Sequence, residues 1–247
     1  MICYIYDGSF EGLLTSIYEA YYRKDKPEEI LREDEFIPTL ITNPIYIKKD
    51  MSKFSKVYDA IRTKISYNSL RYVFYVYLSD IEGSGTLIYK YIKLGFKLGK
   101  DLDLHLYKDC VLRVHQIVKK VFGEYHRMLG FVRFNSINNK FLYSPMEPDH
   151  NILALITPHF TKRLSNENFI IHDLKRGIAA VYNKVDWSIT ELSKEYGLTL
   201  LSKHGNSLYE ELWKSYFKST TIKDRINPKL QKGHMPKRYW SFLTEVN

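Results

Sequence analysis

Apolar side chains recur at helical spacing along most of the chain up to Gly130. Phe10, Leu13, Leu14, Ile17, Tyr18 and Tyr21 form one stripe, because residues three and four apart share a helix face. Ahead of it, Cys3 to Tyr6 reads as a short strand, and Asp7-Gly8-Ser9 as a turn that also caps the helix. Further stripes are Phe54, Val57, Tyr58 and Ile61; then Leu70, Val73, Phe74, Tyr77 and Leu78; then Leu87, Ile88, Tyr91, Ile92 and Gly95. The longest is Val114, Ile117, Val118, Val121, Phe122, Tyr125 and Leu129. Gly83, Gly85, Gly99 and Gly130 stand where these helices are expected to stop. Between the first two stripes, Arg23 to Glu35 reads as a charged, Pro-containing loop. Ile37 to Ile47, with Pro38 and Pro44, reads as extended or as an edge strand.

At Gly130 the period changes. Phe131 to Ser136 and Lys140 to Ser144 alternate like paired strands, and Asn138-Asn139 suits the tight turn of a hairpin. Pro148 to Leu164 returns to helical spacing, interrupted or restarted at Pro158. Phe169 to Leu174 and Ile178 to Asn183 read as a second strand pair, with Val185 to Ile189 as a candidate third strand. Leu208 to Phe217 reads as a helix with Leu208, Leu212, Tyr216 and Phe217 on its apolar side. The tail from Lys218 to Arg238 shows little periodicity, and Tyr239 to Leu243 closes the chain with aromatics. These patterns predict an α+β fold in a single domain spanning 1–247. Its helical N-terminal half (about 1–130) is expected to pack with a small antiparallel sheet in the C-terminal half (about 131–247).

Charge adds to this picture. The net charge is +9, which favours an anionic partner such as nucleic acid, phosphate or a membrane surface. It is unevenly spread. Met1 to Glu35 holds nine acids and four bases, a balance of −5, whereas Lys214 to Arg238 holds eight bases and one acid, a balance of +7. A focused patch attracts phosphate more strongly than scattered charge does. Two distant cysteines, Cys3 and Cys110, make neither a disulfide framework nor a four-thiolate metal site. No stretch approaches the roughly 18 apolar residues of a membrane helix, and MICYIYDGSF lacks the order of a signal peptide. The expectation is a cytoplasmic protein with no membrane partner. No P-loop, dinucleotide fingerprint, H-E-x-x-H or Gly-x-Ser-x-Gly is present, so neither a cofactor nor a metal is expected.

Four groups carry candidate chemistry. In GEYHRMLGFVRF, Glu124, His126 and Arg127 lie off the apolar stripe, and Glu124 and Arg127 are spaced to pair along a helix. Arg133 follows on the next strand, so His126, Arg127 and Arg133 can converge on one anion; the plainer alternative is a solvated face. In PHFTKRL, His159 and Arg163 share a helix face. In IIHDLKRG, His172 and Asp173 end a strand and point to opposite sides of it, with Arg176 just past a turn. In the tail, Lys229, Lys232, Lys237 and Arg238 neutralise phosphates, while Tyr239 and Trp240 stack on bases or anchor the tail.

The sequence resembles a family of bacterial DNA-metabolism or DNA-repair proteins of unknown biochemical activity. The likeness rests on YDGSFEGLL at Tyr6, EYHRMLGFVRF at Glu124, PHFTKRL at Pro158 and IIHDLKRG at Ile170. It continues in LWKSYFKSTTIKDRINPKLQKGHMPKRYW at Leu212 and the closing FLTE. The resemblance implies a gene neighbour encoding a radical S-adenosylmethionine (radical SAM) protein. In some bacteria it also implies fusion to a uracil-DNA-glycosylase-like domain. It brings no catalytic residues, but it adds weight to anion binding by Arg127, Arg133, Arg163 and Arg176. The resulting expectation is a DNA-binding accessory protein whose four arginines line a concavity beside the hairpin. The alternatives are a DNA-processing enzyme using His126, His159, His172 and Asp173 as acid and base, and an interaction module for the radical SAM partner.

Overall fold

The structure is a computed structural model that describes residues 1–138, 140–202 and 208–244, the side chains of residues 202 and 208–210 excepted. The chain divides into two compact units, Met1–Phe122 and Gly123–Asn247. The fold is α+β, with a mostly helical N-terminal half and a mostly antiparallel sheet in the C-terminal half.

The first unit begins with β1 (Ile2–Tyr6), α1 (Phe10–Tyr22), β2 (Glu29–Arg32) and β3 (Asn43–Tyr46). β1 lies between β2 and β3, and both pairings are parallel. Cys3, Tyr4, Ile5 and Tyr6 are all buried, as the centre of a parallel sheet requires. Ser9 caps α1, its hydroxyl accepting from the Gly12 amide at 3.0 Å. β2 runs through the stretch expected as a loop. Its sequence is EILR and only Ile30 in it is buried, so no alternation stands out.

Four helices follow: α2 (Met51–Ala60), α3 (Tyr67–Leu78), α4 (Ser84–Leu98) and α5 (Asp109–Phe131). Their buried positions include predicted ones, among them Val57, Leu70, Val73, Ile88, Tyr91, Ile92, Val114 and Val121, and also Val76, Tyr89, Val111 and Met128, which lie off the predicted stripes; Phe122, expected on the α5 stripe, is exposed. Gly85 does not end a helix. It sits inside α4, where a Cβ would stand 2.5 Å from the Ile30 carbonyl oxygen. Glycine therefore lets α4 lie against β2, and the Thr86 hydroxyl next to it accepts from the Ile30 amide at 3.0 Å. Gly130 does not end a helix either, since α5 continues to Phe131. Residues of α5 up to Phe122 belong to the first unit and those from Gly123 to the second.

The second unit continues with β4 (Asn135–Ile137), β5 (Phe141–Met146), α6 (Leu153–Arg163), β6 (Phe169–Asp173), β7 (Ile178–Tyr182) and β8 (Trp187–Glu191). The helices α7 (Lys194–Ser202), α8 (Leu208–Thr220) and α9 (Pro228–His234) close it. The five strands pair in sequence order, antiparallel throughout except for β5 and β6. A parallel pair needs a crossover, and α6 supplies it. Phe160 of α6 meets Phe134 at 5.3 Å, Phe134 meets Phe169 at 5.6 Å, and Phe169 meets Tyr182 at 4.9 Å. A separate cluster joins Ile137, Tyr143 and Leu200, with Phe141, Ile170 and Leu201 packed against it.

The expected hairpin is present as β4 and β5. It starts later than the alternation suggested: α5 ends at Phe131 and β4 begins at Asn135. Asn138 takes the left-handed conformation, φ 51°; Asn139, its expected companion in the turn, lies outside the described residues, as do the side chain of Leu208 and residue Glu245 of FLTE. The helix expected from Pro148 begins at Leu153 and keeps Pro158 inside it. Among the described residues no helix is long and apolar enough to cross a membrane.

Candidate functional site

Glu124 lies on α5 and is 1% exposed. A buried carboxylate is costly unless donors surround it, and three do. The amides of Asp149 and His150 donate to its two oxygens at 2.9 and 2.8 Å, and the Tyr239 hydroxyl donates to Oε1. Burial, then the adjoining carboxylate, pushes the Tyr239 phenol up to about 12. Arg238 adds a cation: its Nη2 stands 2.9 Å from Asp149 Oδ2 and 3.0 Å from the Tyr239 hydroxyl, and its guanidinium lies 4.8 Å from the Tyr239 ring centre. Glu124 thus fastens the loop between β5 and α6 to the end of the tail. The expected pairing of Glu124 with Arg127 along the helix is not made.

Arg176 holds the same loop from the other side. Its guanidinium donates to Asp173 Oδ2 at 2.9 Å, to the Pro148 carbonyl at 3.2 Å and to the Asp149 carbonyl at 2.8 Å. Asp173 is fully buried. Burial raises its carboxyl above the ordinary value, and the Arg176 charge opposes that rise.

His172 and Asp173 do point to opposite sides of β6. His172 is fully buried, with Nε2 2.9 Å from the Leu192 carbonyl and Nδ1 2.8 Å from the Tyr143 hydroxyl. A carbonyl only accepts, so Nε2 carries the proton and Nδ1 accepts from Tyr143. Burial holds the ring below its ordinary pKa, against the Leu192 bond and the Asp173 charge. Gly197 of α7 closes the site: a Cβ there would stand 2.6 Å from both His172 Nδ1 and the Tyr143 hydroxyl.

The remaining candidates are dispersed. His126 and His159 are exposed, and His159 meets the Phe160 ring edge-on at 5.0 Å. Among the described residues no hydrogen bond joins any two of His126, His159, His172 and Asp173, and no group of three or more His, Cys, Asp or Glu is placed to hold a metal ion. Arg127 is half-buried, and its Nε is buried without a hydrogen-bond partner. Arg133 lies between α5 and β4; it donates to the Gly130 carbonyl at 2.6 Å and lies 5.9 Å from the Trp213 ring. Arg163 is exposed in the last turn of α6. The four arginines therefore stand in four different settings; of them Arg176 reaches the loop at Asp149, where Arg238 of the tail also binds.

The tail differs from this network. Every residue from Glu211 to Leu230 is exposed. Lys214, Lys218, Lys223, Arg225 and Lys229 lie within that run, and Lys232 beyond it is exposed too. None of these six makes an ion pair among the described residues. Trp213, Tyr216 and Phe217 are 40%, 59% and 39% exposed. Lys237 lies 5.9 Å from the Trp240 ring, and the Trp240 indole donates to the Met235 carbonyl at 2.9 Å. Sequence reasoning included Lys229 and Lys232 but passed over Lys214, Lys218, Trp213 and the loop residues Asp149 and His150. The tail residues were legible as a +7 segment; the loop residues act mostly through backbone amides and carbonyls, which leave no trace in side-chain pattern, and Asp149 adds its carboxylate to Arg238.

Residues 82–245 match a family described as a domain of unknown function, DUF4130. The match covers well over half of the chain, and the chain belongs to that family. It takes in EYHRMLGFVRF, PHFTKRL, IIHDLKRG and the LWKSYFKSTTIKDRINPKLQKGHMPKRYW segment but not YDGSFEGLL. No curated protein and no solved structure matches the chain.

Proposed function

We propose that the second unit binds the phosphate backbone of DNA through the cations of its tail, as a DNA-metabolism or DNA-repair protein working beside a radical SAM partner. The observation that carries this reading is the run from Glu211 to Leu230, exposed throughout, in which five bases stand against the two acids Glu211 and Asp224 and make no ion pair among the described residues. Unpaired like charges repel one another, and a polyanion relieves that repulsion while releasing its own counterions. Arg133 joins this surface beside Trp213, and Arg163, exposed in the last turn of α6, is a further cation available to phosphate. Arg176 and Arg238 serve a different purpose, fixing the loop and the tail's anchor through Asp173 and Asp149. Tyr239, 2% exposed, anchors and does not stack.

DNA as the polymer and the radical SAM protein as the partner rest on the resemblance of the quoted motifs. The acid–base alternative has less support, because both nitrogens of His172 are engaged in structural bonds and the other histidines stand apart. Contacts to phosphate position a nucleic acid without reading its sequence. The test is the salt dependence of binding by the full chain. Five phosphate contacts to duplex DNA predict a slope of log K against log salt of about −4.5. An affinity that is absent, or flat across salt, overturns the proposal.

A further inference from the structure

The rings of α8 carry the reading one step further. Trp213, Tyr216 and Phe217 are spaced by three and four residues, so they share one face of the helix. Lys214 and Lys218 each follow a ring by one residue, which places them together on the adjoining face. The Trp213 and Tyr216 ring centres are 5.8 Å apart with planes inclined by 32°, so the two rings are tilted toward a common orientation. All three rings are exposed. A soluble helix ordinarily turns such rings inward, since each buries a large apolar area.

The chemistry of the face identifies what covers it. Amphipathic helices that meet a lipid surface or a protein groove add aliphatic residues to their rings; among the described side chains of α8, Leu212 is the one exposed aliphatic residue, with Ile222, Ile226 and Leu230 exposed beyond the helix end. Aromatic rings bordered by lysines match a polymer of flat rings joined by phosphates. In a duplex the base faces are covered by their neighbours. In an unpaired strand they are open to stack on protein rings.

We propose that α8 is a stacking platform for unpaired nucleic acid, with bases lying on Trp213 and Tyr216 and the flanking phosphates held by Lys214 and Lys218. This rests on the reading of the tail as a nucleic-acid surface and adds that the strand it prefers is single.

The test uses the full chain in anisotropy titrations with a single strand of about 15 nucleotides, the same sequence as a duplex, and an equally long abasic strand. The single strand is expected to bind tightest. The double substitution Trp213→Ala/Tyr216→Ala is expected to weaken single-strand binding by about tenfold or more while leaving the duplex and the abasic strand within about twofold. Trp213→Phe/Tyr216→Phe, which keeps both rings, is expected to retain most of the affinity and so separates stacking from a folding defect. If single strand, duplex and abasic strand bind alike and the alanine pair changes none of them, the platform is overturned and the phosphate-binding reading stands. If no nucleic acid binds, both fall. If phosphatidylserine vesicles bind through these rings while the single strand ignores them, the occupant is a lipid surface and the platform is overturned.

Discussion

Glu124 shows how much one side chain can organise. Its carboxylate gathers two amides and a phenol, and the phenol comes from 115 residues further along the chain. Removing partners in order gives a ranked expectation. Tyr239→Phe deletes two bonds, the one it donates to Glu124 and the one it accepts from Arg238, and is expected to cost about 1–2 kcal/mol. Glu124→Gln keeps the volume but replaces an acceptor by a donor, for about 1–3 kcal/mol. Glu124→Ala takes the carboxylate acceptor from the Asp149 and His150 amides and from the buried Tyr239 phenol, for about 3–5 kcal/mol. Urea denaturation of the intact chain measures all three; a loss for Glu124→Ala no greater than that for Tyr239→Phe would show that the amide bonds contribute nothing. The sequence marks Glu124 as a charged residue off the apolar stripe of α5 and no more. Its role depends on backbone groups and a distant tyrosine, and periodicity carries neither. His172 and Asp173 were more legible, because alternation along a strand assigns neighbours to opposite sides before any partner is known.

At the scale of elements, the helices were legible and the short polar strands were not. Val57, Leu70, Ile88 and Val114 each fall on the stripe that predicted their helix, because one buried face must repeat at the helical period. β2 escaped because a four-residue strand with one buried position has no period to detect. Of the four glycines read as helix boundaries, Gly83 and Gly99 flank α4 as expected, both at positive φ, and the other two misled. Gly85 and Gly130 read as helix ends, yet Gly85 serves close approach and Gly130 is simply tolerated within α5. Gly197 of α7 is a second case of close approach, this time against His172 and Tyr143. Its replacement gives a test whose sign is informative. On a free helix surface Gly→Ala stabilises by about 1 kcal/mol. At position 197 the methyl group meets two buried polar side chains that are already bonded to each other, so Gly197→Ala is expected to destabilise by about 1–3 kcal/mol in thermal or urea unfolding. A stabilised variant would mean that α7 does not lie against this pair.

At the scale of the whole molecule, two buried ionisable groups on β6 contribute to the response to pH. His172 is held neutral below the ordinary imidazole value of about 6.5, so the unfolded chain takes up its proton more readily. The stability it contributes is complete above about pH 6.5 and is lost as pH falls through the window beneath that value. Asp173 is displaced the other way: its raised carboxyl favours the protonated form, and that contribution is lost as pH rises out of the ordinary carboxylate range through its folded value. Denaturant unfolding from about pH 8 to 5 is therefore expected to show declining stability on the acid side, with His172→Gln flattening the decline. A profile equally steep in both proteins would count against a neutral buried ring. The tail's charge was visible in the sequence as a +7 segment, whereas its exposure was not, since nothing in composition says whether lysines will find carboxylates. The exposed run from Glu211 to Leu230 is followed by an anchor in the core at Tyr239. A single protease nick within that run is therefore expected to leave the downstream piece stitched to the body by Tyr239 and Glu124.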